Sequence, residues 1–223
     1  MTLNKRAMTD DAKAKKATHI INVARECYMN STFKDIKMSD IAQKAGVSKG
    51  TLFNYFTSKE HLFTSLLLVE YEKWTKHIEK VLSEIDEMDF NDFKKFFLNE
   101  MQHILDPNSI YIRLSALKNS ILESNMDVET VAKVKKEIYD IGYRMCALLA
   151  NKFEPFSQEV MVELFLIQDA IITGFANTAI IPDHVQYALK KHNLDGVSLN
   201  FRESSLKVME YYLDGFYDQY TKE

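Results

Sequence analysis

Lys49, Gly50, Thr51, Asn54 and Tyr55 stand within seven residues of one another, and their side chains are of the kinds with which a double helix is read. An ammonium meets a phosphate, a methyl-bearing hydroxyl meets a thymine methyl or a base edge, an amide pairs with adenine, and a phenol joins an apolar ring to a polar tip. A glycine among them lets the backbone approach a partner closely. These groups act together only if one rigid element presents them on one side, so the flanking sequence has to supply that element.

The flanking sequence does so. Ile41, Ala42 and Ala45 fall on one side of a short helix expected from Ser39 to Ala45. Gly46 suits the left-handed position that ends a helix, and Ser48 is a good N-cap for the next one, from Lys49 to about Phe56. Two short helices joined by a tight glycine turn make a helix-turn-helix, here Met38–Phe56, in which the first helix supports and the second offers its N-terminal turn to the major groove. Ile41, Ala42, Ala45, Val47 and Leu52 are expected to hold the pair together, with Phe56 inward and Lys49, Thr51, Asn54 and Tyr55 outward. Upstream, Ile20, Val23, Ala24, Cys27 and Tyr28 form the stripe of an amphipathic helix beginning at Thr18. Downstream, Thr57-x-x-Glu60 reads as a capping box, with Ser58 as the alternative N-cap, and opens a long helix to near Ile85. Lys59 at its start would add a cation to N–H groups suited to phosphate.

Taken together, Asp40-Ile41-Ala42, Ala45-Gly46-Val47-Ser48, Gly50-Thr51-Leu52, Tyr55-Phe56 and Ser58-Lys59-Glu60 closely resemble the DNA-binding signature of TetR-family transcriptional regulators. The resemblance implies a homodimer, usually a repressor, that leaves a palindromic double-stranded operator when a small molecule binds its C-terminal domain. Three positions depart from the pattern. Phe53 stands where the family usually has Tyr, so a phosphate-binding hydroxyl is missing; Lys37 stands where a capping hydroxyl is common; His61 stands where Glu often closes a capping box. Candidate DNA contacts are Lys37, Ser39, Ser48, Lys49, Gly50, Thr51, Phe53, Asn54, Tyr55 and Lys59.

The whole-chain charge of −4 over 223 residues conceals a division. Residues 1–60 hold eleven basic and six acidic side chains, a net of +5, which leaves −9 for the remainder. A basic head on an acidic body suits a nucleic-acid contact confined to the head, although a solvated lysine-rich tail has the same charge. With only 6 Gly and 3 Pro, turn-rich β folds and Gly-looped nucleotide sites are disfavoured, and the fold is expected to be all-α with about nine helices. Cys27 and Cys146 are far apart and have no metal-like spacing, no apolar run is long enough for a membrane span, and the N-terminus lacks a secretory signal, so a cytoplasmic protein is expected. The expected organisation is a flexible basic arm over 1–16, the DNA-binding domain over 17–62 and a ligand-binding and dimerisation domain over 63–223.

Periodicity predicts further helices in the body, including one unbroken stretch from Ser109 to Glu123, one from Val128 to Phe153, one from Ser157 to about Ile180, a short one around Val185–Lys191 before a turn at Asp195-Gly196, and a last one from Phe201. Its Met and aromatic residues are core or the lining of a pocket for an apolar effector, with Trp74, Phe97, Met101, Tyr111, Leu114, Phe165 and Gln168 as candidates. His103, Arg113 and Asn177 could add polar contacts. Leu206, Met209, Leu213, Phe216, Tyr217 and Tyr220 form a heptad-like seam that, with Leu164, Gln168, Ile172 and Phe175, would build a four-helix dimer interface; packing within one chain is the alternative. Two rival classes stay open. A helical-bundle enzyme or metal protein would need more than the single Glu100-x-x-His103 pair, and no nucleophile elbow, phosphate loop or zinc spacing is present, so no catalytic residue, cofactor or metal is expected. A helical interaction module would expose an apolar groove and ignore DNA.

Overall fold

The computed structural model describes residues 2–194, 196 and 199–220, with side chains from residue 10 onward. Every regular element among them is helical: α1 Thr2–Met29, α2 Met38–Lys44, α3 Lys49–Tyr55, α4 Lys59–Leu82, α5 Phe90–Ile104, α6 Ile110–Ser115, α7 Val128–Ala150, α8 Gln158–Ala179, α9 Asp183–Lys191 and α10 Phe201–Tyr220. The chain divides into two compact units. The first takes the residues through Glu70 together with Leu117–Glu137; the second takes Tyr71–Ala116 and the chain from Ile138 onward. The boundary expected at residue 62 therefore falls inside α4, and residues 63–70 and 117–137 group with the head.

Local chemistry sets the helix ends. Ser48, Asp89, Ser109 and Ser157 each accept a hydrogen bond from the backbone N–H three residues on, the N-capping geometry. Two expectations are corrected. The helix predicted from Thr18 starts at Thr2, because the lysines and alanines expected to form an arm are good helix formers. The single helix predicted over Ser109–Glu123 stops at Ser115 and continues as a π turn, Lys118–Leu122, and a 3-10 turn, Glu123–Asn125. There Ser124 and Asn125 donate to the carbonyls of Ser120 and Ile121, competing with the helical ladder. At the predicted Asp195-Gly196 turn, Asp195 lies outside the described residues.

In the first unit α1, α2 and α3 pack in sequence around Ile20, Ala24, Ile41, Leu52, Leu62, Phe63 and Leu66, all fully buried. Edge-on rings of Tyr28 and Phe33 close over Phe63 at 5.3 and 5.2 Å. Arg25 and Glu70 pair as ions between α1 and α4, and His19 Nε2 lies 3.2 Å from the Ala45 carbonyl oxygen.

The second unit packs α10 against α8 and α5, and α6 against α8. Its centre is aromatic. Phe93 stacks on Phe153 at 4.6 Å, and Phe156 meets both edge-on. Lys94 of α5 donates to Asp214 of α10 at 2.8 Å, which raises the lysine pKa and ties the two helices. This packing buries part of the predicted dimer seam within one chain. Leu164, Ile172, Met209 and Leu213 are at most 1% exposed and Gln168 is 3% exposed within a single chain. Phe216, Tyr217 and Tyr220 rest on Phe156 of the same unit. A heptad-like stripe reports that a face is covered, not which chain covers it. Phe175 and Leu206 are half-buried.

Among the described residues no single helix is long and apolar enough to cross a membrane. Both cysteines are free and buried, and burial pushes the Cys146 thiol up to about 12.

Candidate nucleic-acid interface and effector site

Gly46 makes the turn between α2 and α3. Its φ is +62°, the left-handed conformation, and a Cβ there would meet nothing within 4 Å, so the requirement is of backbone and not of space. The Gly46 N–H donates to the Gln43 carbonyl and the Val47 N–H to the Ala42 carbonyl, a Schellman closure that satisfies the last carbonyls of α2. Ser48 then starts α3: its Oγ accepts from the Thr51 N–H at 3.0 Å and lies 2.8 Å from the Thr51 hydroxyl. Ile41, Ala42, Ala45, Leu52 and Phe56 are buried beneath the turn, as the spacing predicts, and Val47 is half-buried.

What this frame leaves outside is one face of α3. Ser48, Lys49, Gly50, Phe53 and Asn54 are exposed, and Thr51 and Tyr55 are half-exposed. Lys37 and Ser39 are exposed at the start of α2, where Lys37 occupies the N-cap position without a side-chain cap, as its chemistry requires. The interface thus offers the cations of Lys37 and Lys49, several hydroxyls, an amide and an aromatic ring, with no carboxylate in α3. Phe53 has a role that spacing alone could have revealed. At i, i+4, the Lys49 ammonium sits 5.9 Å from its ring centroid, so the ring that lacks the usual hydroxyl steadies the neighbouring cation.

Lys59 is tied to the neighbouring backbone. Its ammonium donates to the carbonyls of Phe33 at 2.8 Å and Ile36 at 3.1 Å, and lies 4.2 Å over the Phe33 ring. It closes the α1–α2 connection onto the start of α4, and two of its three N–H donors are engaged there. The cap of α4 differs as well. Ser58, the alternative to Thr57, accepts from the His61 N–H at 3.0 Å, and His61 Nδ1 in turn accepts from the Thr57 N–H at 3.2 Å. The histidine reaches back as a capping-box glutamate would, but one residue further, to the N–H before the cap. Only an unprotonated Nδ1 can accept. Burial, and next the Lys133 cation, lower the His61 pKa, against the opposing pull of Asp127 and Glu137.

In the second unit, four helices bring rings together. Trp74 of α4 lies 6.3 Å from Tyr111 of α6 and 5.7 Å from Phe165 of α8; Phe165 lies 5.3 Å from Phe97 of α5; Tyr71 meets Tyr111 edge-on at 5.6 Å. Four of the seven predicted pocket residues therefore form one cluster, and Tyr71 is an addition. Met101 and Leu114 are fully buried, which is equally the position of core residues. His103 and Asn177 are exposed. His77 Nε2 lies 2.9 Å from a carboxylate oxygen of the buried Glu100. Among the described residues no group of three or more His, Cys, Asp or Glu could hold a metal ion.

These two arrangements agree with what the chain is similar to. Residues 20–66 match the family described as bacterial regulatory proteins, tetR family, and residues 68–219 match the tetracyclin repressor-like C-terminal domain. Over 73 residues the chain is 30% identical to the HTH-type transcriptional regulator UidR of Escherichia coli strain K12, covering 33% of this chain and 37% of that protein. Over 72 residues it is 29% identical to the HTH-type transcriptional repressor KstR of Rhodococcus jostii strain RHA1, covering 32% and 34%. These alignments span about a third of the curated relatives' length. Among solved structures, a TetR transcriptional regulator from Rhodococcus sp. RHA1 aligns over 90% of this chain and 95% of that one with a TM-score of 0.59 at 16% identity, a likeness of fold. With both halves matched in order and the helix-turn-helix built as its signature requires, the chain belongs to the TetR family of transcriptional regulators.

Proposed function

We propose that the protein is a dimeric repressor that holds a palindromic operator through α3 and releases it when a small, largely apolar effector enters the second unit. The observation that carries the reading is the outward face of α3, where Lys49 and Gly50 stand at a capped helix N-terminus and Asn54 and Tyr55, at the other end of the same short helix, also reach solvent. That arrangement suits insertion into the major groove, with Lys37 and Lys49 on flanking phosphates. The ring cluster of Trp74, Tyr111, Phe165 and Phe97 supports an apolar effector site.

The outward residues of α8 and α10 support a two-fold assembly. Leu166 is 63% exposed and Tyr211 64% exposed, with Val208 a turn from Tyr211. These join the seam's outward residues, Phe175, Leu206, Phe216, Tyr217 and Tyr220, as the candidate dimer surface. Release would work through α4, whose residues up to Glu70 belong to the first unit and whose later residues, including Trp74, belong to the second. An effector that binds one pose of α4 better than another shifts the population of heads able to meet two half-sites together.

Selection of duplexes from a random pool by the purified protein tests the reading. The expected product is a palindrome whose half-sites lie about one helical turn, or a multiple of it, apart. Recovery of no enriched sequence, or of a single unrepeated half-site, would overturn it.

A further inference from the structure

The ring cluster of the second unit is bordered by polar atoms that the protein itself leaves unanswered. Trp74 Nε1, Thr75 Oγ1 and Ser115 Oγ are buried without a hydrogen-bonding protein partner. Thr75 is 1% exposed and Ser115 2% exposed. Trp74 belongs to the cluster, Thr75 is its neighbour in α4, and Ser115 stands one turn along α6 from Tyr111, which faces Trp74 at 6.3 Å. Buried serine and threonine hydroxyls in helices ordinarily bond back to the preceding turn; Thr64 and Ser205 do so in this chain. Leaving such a group unpaired costs about 1–3 kcal/mol, and Trp74 Nε1 within the cluster together with Ser115 Oγ one turn along α6 from Tyr111 points to a partner that arrives from outside the chain.

Resting on the reading of this unit as the effector domain, we propose that its effector is a flat, mainly aromatic molecule carrying a hydrogen-bond acceptor such as a ketone oxygen, and that Trp74 Nε1–H and the Ser115 hydroxyl donate to it. The rings of Tyr111, Phe165 and Phe97 fit a planar apolar body stacked or edge-on among them. A site built to hydrogen-bond its ligand rejects the analogue that lacks the acceptor far more strongly than an apolar pocket rejects a change of size.

The test uses matched probes, fluorenone with fluorene and 2-acetonaphthone with 2-isopropenylnaphthalene, each pair close in shape and differing in the ketone oxygen. Equilibrium dialysis against the full-length protein is expected to show each ketone bound at least about tenfold more tightly than its hydrocarbon, the effect of one hydrogen bond of about 1.4 kcal/mol. Trp74→Phe, which keeps an aromatic ring, and Ser115→Ala, which keeps nearly the same volume, are expected to bring the ratio of ketone to hydrocarbon affinity towards one, whatever their effect on either affinity alone. Because Trp74 is the only tryptophan, its indole N–H gives one nitrogen-correlated proton resonance, expected to move downfield with the ketones alone. Ser115→Ala is also expected to raise the melting temperature of the ligand-free protein, since it removes an unpaired buried hydroxyl. Equal binding of the two members of each pair, the result expected if trapped water already serves these donors, overturns the proposal, as does no binding of any probe or a lower melting temperature for Ser115→Ala. Operator selection does not enter these measurements, so failure here and failure of the DNA-binding reading are separately visible.

Discussion

Gly50 is a glycine its own helix does not need. A Cβ at that position would meet only Ser48 Oγ, at 3.9 Å, and the backbone is not left-handed. Alanine should therefore suit the isolated protein, with a helix-propensity gain of up to about 1 kcal/mol. On the exposed face of α3 the same methyl would hold DNA away. Gly50→Ala is expected to melt at the same temperature or higher and to bind the selected operator about tenfold or more weakly, since a backbone hydrogen bond to phosphate worth about 1.4 kcal/mol could no longer form. A lower melting temperature with unchanged affinity would assign the glycine to the fold instead. The two lysines separate in a similar way. Lys49→Ala is expected to reduce the salt slope of operator binding by about one, the signature of one phosphate contact. Lys59→Met should leave that slope alone and destabilise the protein by about 1–2 kcal/mol, because its ammonium serves the Phe33 and Ile36 carbonyls. Equal loss of slope in both variants would return Lys59 to the phosphates.

At the level of the element, the start of α4 carries a pH dependence that a glutamate cap would lack. His61 must be unprotonated at Nδ1 to hold the Thr57 N–H, and its pKa is lowered on folding, first by burial and next by Lys133. The unfolded chain therefore binds the proton more readily. Stability is full above the ordinary imidazole value of about 6.5 and declines as pH falls through it towards the lower folded value. Denaturation measured between pH 7.5 and 5 is expected to show this decline in the wild type and a flatter profile in His61→Gln, whose amide oxygen can still accept. Identical profiles would show that the cap does not titrate in that range. The helix start is legible in the residue types but its partner is not: Thr57 and Ser58 are both capping residues, and only the fold shows that Ser58 caps while Thr57 is held by the ring. The same limit applies to Ser109–Glu123, where periodicity predicts one helix. The Ser124 and Asn125 side chains that divert its end are ordinary surface residues until their bonds to Ser120 and Ile121 are seen.

Over the whole molecule, the local signature is the most legible part, because a helix-turn-helix is specified by nearby residues: Gly46 for the turn, Ser48 for the cap, Ile41 and Leu52 for the joint. The body is legible as helices and as an aromatic cluster, since Trp74, Phe97, Tyr111 and Phe165 do meet. Its assembly is not, because hydrophobic periodicity cannot distinguish a neighbour in the same chain from one in another. Met209 and Leu213 show the difference: both are fully buried within one chain. We propose that a dimer uses what that packing leaves outside, above all Leu166 on α8 with Val208 and Tyr211 on α10. The double substitution Leu166→Glu with Tyr211→Glu places two carboxylates where solvent already reaches each side chain, so the helical content and melting of the single chain should change little, by about 0.5 kcal/mol per exposed site. In a two-fold interface each carboxylate would be buried without a partner or face its like across the axis. Sedimentation is therefore expected to report a dimer for the wild type and a monomer for the double variant. Operator binding should fall to that of a single half-site, although α3 is untouched. Met209→Glu should instead unfold the chain, since its carboxylate would enter the protomer core. A double variant that remains dimeric would place the two-fold contact on a different face of the molecule.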